Sequence, residues 1–137
     1  MATDTLDQAS AAGAAEDDPA DQSTEFMDLL AYIYLQHGLT DKAAVLLLAR
    51  DLLVPDEPRV LLTLALAQVR SAKPEKALQT LERLTILGAM NADFHLVRAQ
   101  ALQALQRHAE AASAMRAYVA MLPAEALPSP VAPSASV

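Results

Sequence analysis

The sequence contains no cysteine and no tryptophan, and it has only 3 glycines in 137 residues. Without cysteine, the chain has no disulfide framework, no thiolate metal ligand and no cysteine nucleophile. Aromatic residues make up 4% of the chain, whereas hydrophobic residues, led by alanine and leucine, make up 53%. This composition favours α-helices over β-sheets, which are richer in β-branched and aromatic residues. The length suits one domain, so we predict a single all-α domain.

Basic residues are scarce, and the formal net charge is −7. Because phosphate backbones are bound by clustered Lys and Arg, this charge argues against a nucleic-acid partner. The longest apolar runs, residues 43–49 and 60–69, are shorter than the roughly 20 residues that a membrane span needs. The N-terminus also lacks the basic start and apolar run of a secretory signal. We therefore expect a soluble protein that does not insert directly into a membrane.

The two ends of the chain differ in composition from its middle. Residues 1–23 are rich in Ala and Asp, and residues 1–25 hold seven acidic residues with no Lys or Arg. Because this N-terminal segment has little apolar surface to bury, we predict that residues 1–23 are disordered. Residues 123–137 hold four prolines among Ala and Ser, which predicts a flexible tail. The fold is expected in residues 24–122.

Small and large apolar residues recur in this middle part at one constant interval. Three such columns are Ala31, Ala65 and Ala99; Ala43, Ala77 and Ala111; and Leu47, Leu81 and Met115. Their common spacing matches the period of about 34 residues that is typical of the tetratricopeptide repeat, a helix–turn–helix unit. We therefore predict an α-solenoid of about three repeats, over residues 24–57, 58–91 and 92–122.

Capping residues and prolines set the predicted helix boundaries within these repeats. Thr40, Asp56 and Asn91 are expected to be N-cap residues, and Gly38 and Gly88 are expected to lie at helix C-termini. The predicted helices cover residues 24–37, 41–53, 58–71, 74–88, 92–105 and 109–122.

The first helices of such repeats line a concave groove, and the register predicts which residues face it. An exposed apolar strip on a small protein is typical of a partner site, and a groove of this shape accepts a helix or an extended peptide. The predicted partner-binding residues are Tyr32, Leu35, Leu62, Leu66, Val69, Arg70, Leu96 and Gln100. The alternative that some of these side chains pack in the core stays open, above all for Leu66.

The last repeat forms a second predicted contact surface. Solenoids need a polar cap on their terminal repeat, and a proline-rich tail cannot supply one. We predict that a partner covers this C-terminal edge. The residues concerned are Leu105, Met115, Tyr118 and Val119.

No constellation of catalytic residues is visible in the sequence. The histidines His37, His95 and His108 do not pair at helical spacing, so we predict no metal site. The three glycines are too scattered to form a phosphate-binding loop. We predict a non-enzyme without a cofactor, and the alternative is an enzyme subunit.

Two stretches of the chain carry a resemblance to a known family. They read Tyr34-Leu35-Gln36-His37-Gly38 with Lys42-Ala43 and Leu46-Leu47 in the first repeat, and Leu96 with Arg98-Ala99-Gln100 in the third. They resemble the small tetratricopeptide chaperones of bacterial type III secretion systems. The likeness is greatest to the Y-type chaperone, which pairs with a small secreted export factor, and it covers roughly residues 25–122.

The resemblance implies a bacterial cytoplasmic chaperone that works peripherally at the inner-membrane export apparatus. It implies a heterodimer with a small secreted type III export protein. The heterodimer would dock on the cytosolic domain of the export-gate membrane protein. Two alternatives remain open: a tetratricopeptide chaperone for a translocator or needle subunit, and a generic tetratricopeptide scaffold protein.

Overall fold

The computed structural model describes residues 19–124, with side chains from residue 22 onwards. The predictions made for residues 1–18 and 125–137 therefore lie outside the described residues. Between residues 19 and 124 the chain forms six helices and no strand, which confirms the all-α prediction. These helices are α1 (Pro19–Gln36), α2 (Thr40–Leu53), α3 (Pro58–Arg70), α4 (Pro74–Ile86), α5 (Ala92–Ala104) and α6 (His108–Met121).

Each of the six predicted helices has a counterpart, and the largest difference lies at the start of α1. This helix begins at Pro19, whereas the sequence predicted a start at residue 24. Pro58 and Pro74 open α3 and α4, where the missing N–H of proline costs no hydrogen bond. Gly88 adopts a φ of 74° just beyond the end of α4, as expected for a glycine after a helix C-terminus.

The predicted N-caps are only partly correct. Asn91 caps α5, because its side chain accepts a hydrogen bond of 2.9 Å from the backbone N–H three residues later. The prediction for Thr40 is wrong, since Thr40 is the first residue of α2 and Leu39 precedes it as the N-cap. The prediction for Asp56 is also wrong, because Glu57 holds the N-cap position of α3 and Asp56 has a φ of 63°.

The three turns inside the helical hairpins share one backbone geometry. The left-handed residues of these turns are Gly38, Ala72 and Gln106, with φ angles of 74°, 59° and 60°. The next residue in each turn donates its N–H to the carbonyl oxygen five positions earlier: Leu39 to Tyr34 at 2.8 Å, Lys73 to Gln68 at 2.8 Å and Arg107 to Leu102 at 2.9 Å. This is the Schellman pattern of hydrogen bonds. The period of the alanine columns in the sequence is therefore also a period of the backbone.

The helices pack in chain order, and the core forms where they meet. Each helix contacts the next one along the chain, and α3 also contacts α5. The alanines of the two predicted columns, Ala31, Ala65, Ala99, Ala43, Ala77 and Ala111, are all buried. The largest fully buried side chains are Leu47, Leu61, Leu64, Leu81, Leu84 and Leu102. The buried apolar side chains form three clusters: the first core cluster lies between α1, α2 and α3, the second between α3, α4 and α5, and the third between α5 and α6.

Candidate protein-binding groove

An open pocket of about 390 Å³ lies between α1 and α3, the first helices of the first two hairpins. Its lining combines apolar side chains with charges of both signs. The lining residues are Asp28, Leu29, Tyr32, Leu47, Glu57, Pro58, Arg59, Val60 and Thr63. We call this pocket the α1–α3 groove. Its open shape and mixed lining suit a polypeptide segment, which offers both side chains and backbone polar groups.

Tyr32 is the predicted partner-binding residue that lies in the lining of the α1–α3 groove. Its side chain is exposed, and its hydroxyl accepts a hydrogen bond of 2.5 Å from Nε2 of Gln36, one helical turn later. A tyrosine held in this way presents a large, rigid contact area, and tyrosine is common among residues that dominate binding energy. Its contact with a partner stays a prediction.

A buried arginine joins the two helices beside the groove. Arg50 of α2 is 4% exposed, and its Nε donates a hydrogen bond of 2.9 Å to Asp28 of α1. Its Nη2 donates to Glu57, at the start of α3. Because Asp28 and Glu57 both line the groove, the Arg50 cluster fixes the separation of the groove walls.

The Arg50 cluster was not predicted from the sequence. Nη1 of Arg50 is buried and has no hydrogen-bond partner among the described residues. The residue at the same position of the next repeat is Leu84, which is buried in the second core cluster. A charged residue in a column that is otherwise apolar is the signal that could have drawn attention to Arg50.

A second ion cluster joins α2 to α4. Arg83 donates from Nη1 to Asp51 at 2.7 Å and from Nη2 to Asp56 at 2.6 Å. Asp51 also accepts the backbone N–H of Asp56 at 3.1 Å. The hydrogen bond from Arg83 is the main reason that the pKa of Asp51 lies below its usual value, and the two carboxylates raise the pKa of Arg83. The cluster therefore fixes the second hairpin against the first.

The other predicted partner-binding residues lie outside the lining of the α1–α3 groove. Leu35 is buried in the first core cluster, and the structure gives it little surface for a partner. Leu62, Leu66 and Val69 are half-buried and pack against the second core cluster. Leu96 is half-buried, and Arg70 and Gln100 are exposed. Their roles in binding stay predictions.

A second pocket, of about 360 Å³, lies between α4, α5 and the turn before α6. Its lining residues are Leu78, Leu81, Glu82, Thr85, Phe94, Arg98, Leu102 and Arg107. Arg107 pairs with Glu110 through hydrogen bonds of 2.9 and 2.7 Å. This pairing raises the pKa of Arg107 and lowers that of Glu110. The pocket places Arg98, a residue of the stretch that carries the family resemblance, beside α4.

The C-terminal edge exposes apolar side chains in the described part of the chain. Met115 and Val119 of α6 are exposed, and Leu105 and Tyr118 are half-buried. Leu81, which occupies the same column as Met115 one repeat earlier, is buried. The difference arises because the described residues include no later helix that packs on α6. That a partner covers this edge stays a prediction.

Between residues 19 and 124, no three His, Asp or Glu side chains come close enough together to hold a metal ion. None of the helices described there is both long and apolar enough to cross a bilayer. The sequence matches no protein-family model, and no curated protein matches it significantly. The function must therefore be argued from the groove, the repeat geometry and the residues of the resemblance.

Proposed function

We propose that this chain is a tetratricopeptide-repeat α-solenoid that acts as a cytoplasmic type III secretion chaperone. It binds a small secreted export protein and keeps it soluble before export. The heterodimer then docks on the cytosolic domain of the export-gate membrane protein. The solenoid is supported by the three hairpin turns, whose left-handed residues Gly38, Ala72 and Gln106 are evenly spaced along the chain.

The α1–α3 groove is the observation that carries a binding function. Its lining combines the exposed Tyr32 of α1 with Arg59 and Thr63 of α3, and it contains charges of both signs. The Arg50 cluster ties α1 to the start of α3 without a ligand, so the groove is already formed before binding. A pre-formed groove lowers the ordering cost of association.

The nature of the client is supported by the sequence resemblance. The stretch from Leu96 to Gln100 carries most of that likeness, and its Arg98 lines the second pocket. The exposed apolar residues at the C-terminal edge also suit a protein that works as one half of a heterodimer. An obligate partner would cover side chains that a monomer leaves in water.

Co-expression with each candidate client tests this proposal. The full chain is produced with the export protein, with a translocator or with the needle subunit from the same secretion system, and each product is analysed by size-exclusion chromatography with light scattering. We expect a stoichiometric complex with the export protein. A complex with the translocator or needle subunit alone would keep a chaperone role but contradict the proposed client. Failure of all three to bind would contradict the chaperone function.

Tyr32→Ala then tests the groove. Truncation of a tyrosine at the centre of an interface costs about 2 kcal/mol or more, which weakens binding roughly 30-fold. Tyr32 is exposed, so its loss should leave the melting temperature nearly unchanged. Leu52→Ala is the matched control, because Leu52 is also exposed but lies outside the lining of the groove. Equal affinity of the Tyr32→Ala and Leu52→Ala variants would contradict the groove assignment.

A further inference from the structure

The helix α1 has a second apolar face that is not covered by any described residue. In α3 and α5 the equivalent face packs against the preceding hairpin. Phe26 is 63% exposed, whereas Val60 and Phe94, its counterparts in the next two repeats, are each 4% exposed. Ile33 is 40% exposed, whereas its counterparts Ala67 and Ala101 are both 0% exposed.

The exposed face of α1 therefore corresponds to the surface that, in the later repeats, packs against a preceding hairpin. Phe26, Leu29 and Ile33 lie at helical spacing on one side of α1, and all three are exposed. We call these three residues the N-terminal face. The helix α2 shows what covers such a face, because its Ala44 and Leu47 share a core cluster with Val60. The N-terminal face thus has the shape to accept one further α-helix.

Residue size limits which helix fits. At the position where α3 has Ala67, α1 has the bulkier Ile33. A helix that packs as closely here must therefore present small residues, such as alanine, opposite Ile33.

The charged residues beside the N-terminal face indicate the charge of the helix that binds there. Among the charged residues from 22 to 42, Asp28 is paired with Arg50 and Asp41 is followed by Lys42, so Glu25 is the charge that remains beside this face. Glu25 is exposed directly beside Phe26 and one helical turn before Leu29. An exposed carboxylate beside an apolar centre is complementary to an amphipathic helix that carries Lys or Arg on its flank.

The same charge pattern disfavours two other occupants. Residues 1–25 contain seven acidic residues and no Lys or Arg, so the N-terminal segment of this chain would place negative charge beside Glu25. A symmetric pair of α1 helices from two copies would also bring acidic residues together. Like charges placed side by side weaken association.

We infer that the N-terminal face is a docking site for a cationic amphipathic α-helix of another protein, which extends the stack of helices beyond α1. Phe26 and Ile33 are absent from the lining of the α1–α3 groove, whereas Leu29 belongs to both surfaces. The inference therefore does not depend on which client fills the groove.

The test uses the full chain and two labelled helical peptides, each of about five turns. The first peptide has alanine and leucine along one helical face and lysine on the other, and the second replaces every lysine by glutamate. Fluorescence anisotropy is measured at low and high salt. We expect the lysine peptide to bind at least about tenfold more tightly than the glutamate peptide, and we expect salt to weaken its binding.

A double variant, Phe26→Ser with Ile33→Ser, should reduce binding of the lysine peptide by at least about tenfold. The matched control, Val45→Ser with Leu52→Ser, also changes two exposed apolar residues but leaves the N-terminal face intact. Circular dichroism verifies that both variants keep their helix content. Equal losses in the two variants would overturn the inference, because binding would then reflect general attraction to an acidic protein.

Three further outcomes would also overturn the inference. Binding of the lysine peptide only after deletion of residues 1–18 would make the N-terminal segment the occupant. A dimer in light scattering that the Phe26→Ser, Ile33→Ser variant abolishes would make a second copy the occupant. Peptide binding that is lost in Tyr32→Ala but kept in the double variant would place the peptide in the groove. Loss of client binding with retained peptide binding would contradict the proposed function alone.

Discussion

Exchanging residue types between two equivalent turns should change stability in opposite directions. Gly38 and Ala72 occupy the same position in the first and second hairpin turns, and both have a positive φ. Alanine in this left-handed conformation costs about 1–2 kcal/mol more than glycine. The smaller conformational entropy of unfolded alanine returns about 0.4–1 kcal/mol. Gly38→Ala should therefore lower the free energy of unfolding by about 0.5–1 kcal/mol, and Ala72→Gly should raise it by a similar amount.

Steric clash does not complicate the estimate at Gly38. A Cβ atom added there would meet no atom within 4 Å, so the backbone conformation alone determines the cost. Urea denaturation followed by circular dichroism measures both variants, and thermal melting should shift by about 3–5 °C in each direction. Gln106→Gly in the third turn should behave like Ala72→Gly, because Gln106 has a φ of 60°.

Ala112→Gly is the control for the glycine substitutions. Ala112 is exposed within α6, where glycine costs about 0.8–1 kcal/mol relative to alanine. The same change from alanine to glycine should therefore destabilise the chain at position 112 and stabilise it at position 72. If Ala72→Gly is destabilising to the same extent as Ala112→Gly, the second turn does not have the left-handed geometry and the backbone repeat is refuted.

Two further predictions concern buried polar groups. Since the pKa of Asp51 is lowered in the folded chain, its carboxylate stabilises the fold above its unfolded pKa of about 3.8, and this stability is lost as the pH falls through the lower folded value. Between pH 7 and pH 3 the free energy of unfolding, measured by urea denaturation, should therefore fall less in Asp51→Asn than in the unchanged chain. An equal fall in both would contradict the role of the Asp51–Arg83 pair. Thr80 donates a buried hydrogen bond of 2.7 Å to Gln68, so Gln68→Leu and Thr80→Val should each cost about 1–3 kcal/mol. In a double-mutant cycle, the loss of unfolding free energy in the double variant should be smaller than the sum of the two single losses. Additive losses would show that the hydrogen bond is not formed.

The helices were predictable because their signals are local. The prolines that open α3 and α4 and the glycine after α4 each act within one or two helical turns. The N-cap at Asp56 failed for the opposite reason. Its carboxylate and backbone N–H make contacts with Arg83 and Asp51, and these contacts hold Asp56 in a left-handed conformation outside the N-cap position. Tertiary contacts of this kind leave no mark in the local sequence.

The sequence predicted that the first helices of the repeats line a groove, but it did not predict which of their side chains do so. The repeat register indicated that the first helices of all three repeats, α1, α3 and α5, line it, and it identified Tyr32, whereas no residue of α5 lies in the lining of the α1–α3 groove. It did not indicate how closely neighbouring hairpins pack, so Leu62 and Leu66 were expected to face a partner although they pack against the second core cluster. Periodicity specifies the direction in which a side chain leaves its helix, whereas its burial depends on the neighbouring helix.

Two kinds of buried polar residue occupy positions at which a later repeat has an apolar residue. Gln68 and Thr80 interrupt columns that hold Leu102 and Ala114 one repeat later, and they satisfy each other inside the core. Arg50 interrupts a column that holds Leu84, yet its Nη1 has no hydrogen-bond partner among the described residues. A buried ion pair adds little to stability relative to a well-packed apolar side chain. The Arg50 cluster is therefore better explained by the link it makes between α1 and the start of α3 beside the groove than by any gain in the free energy of folding.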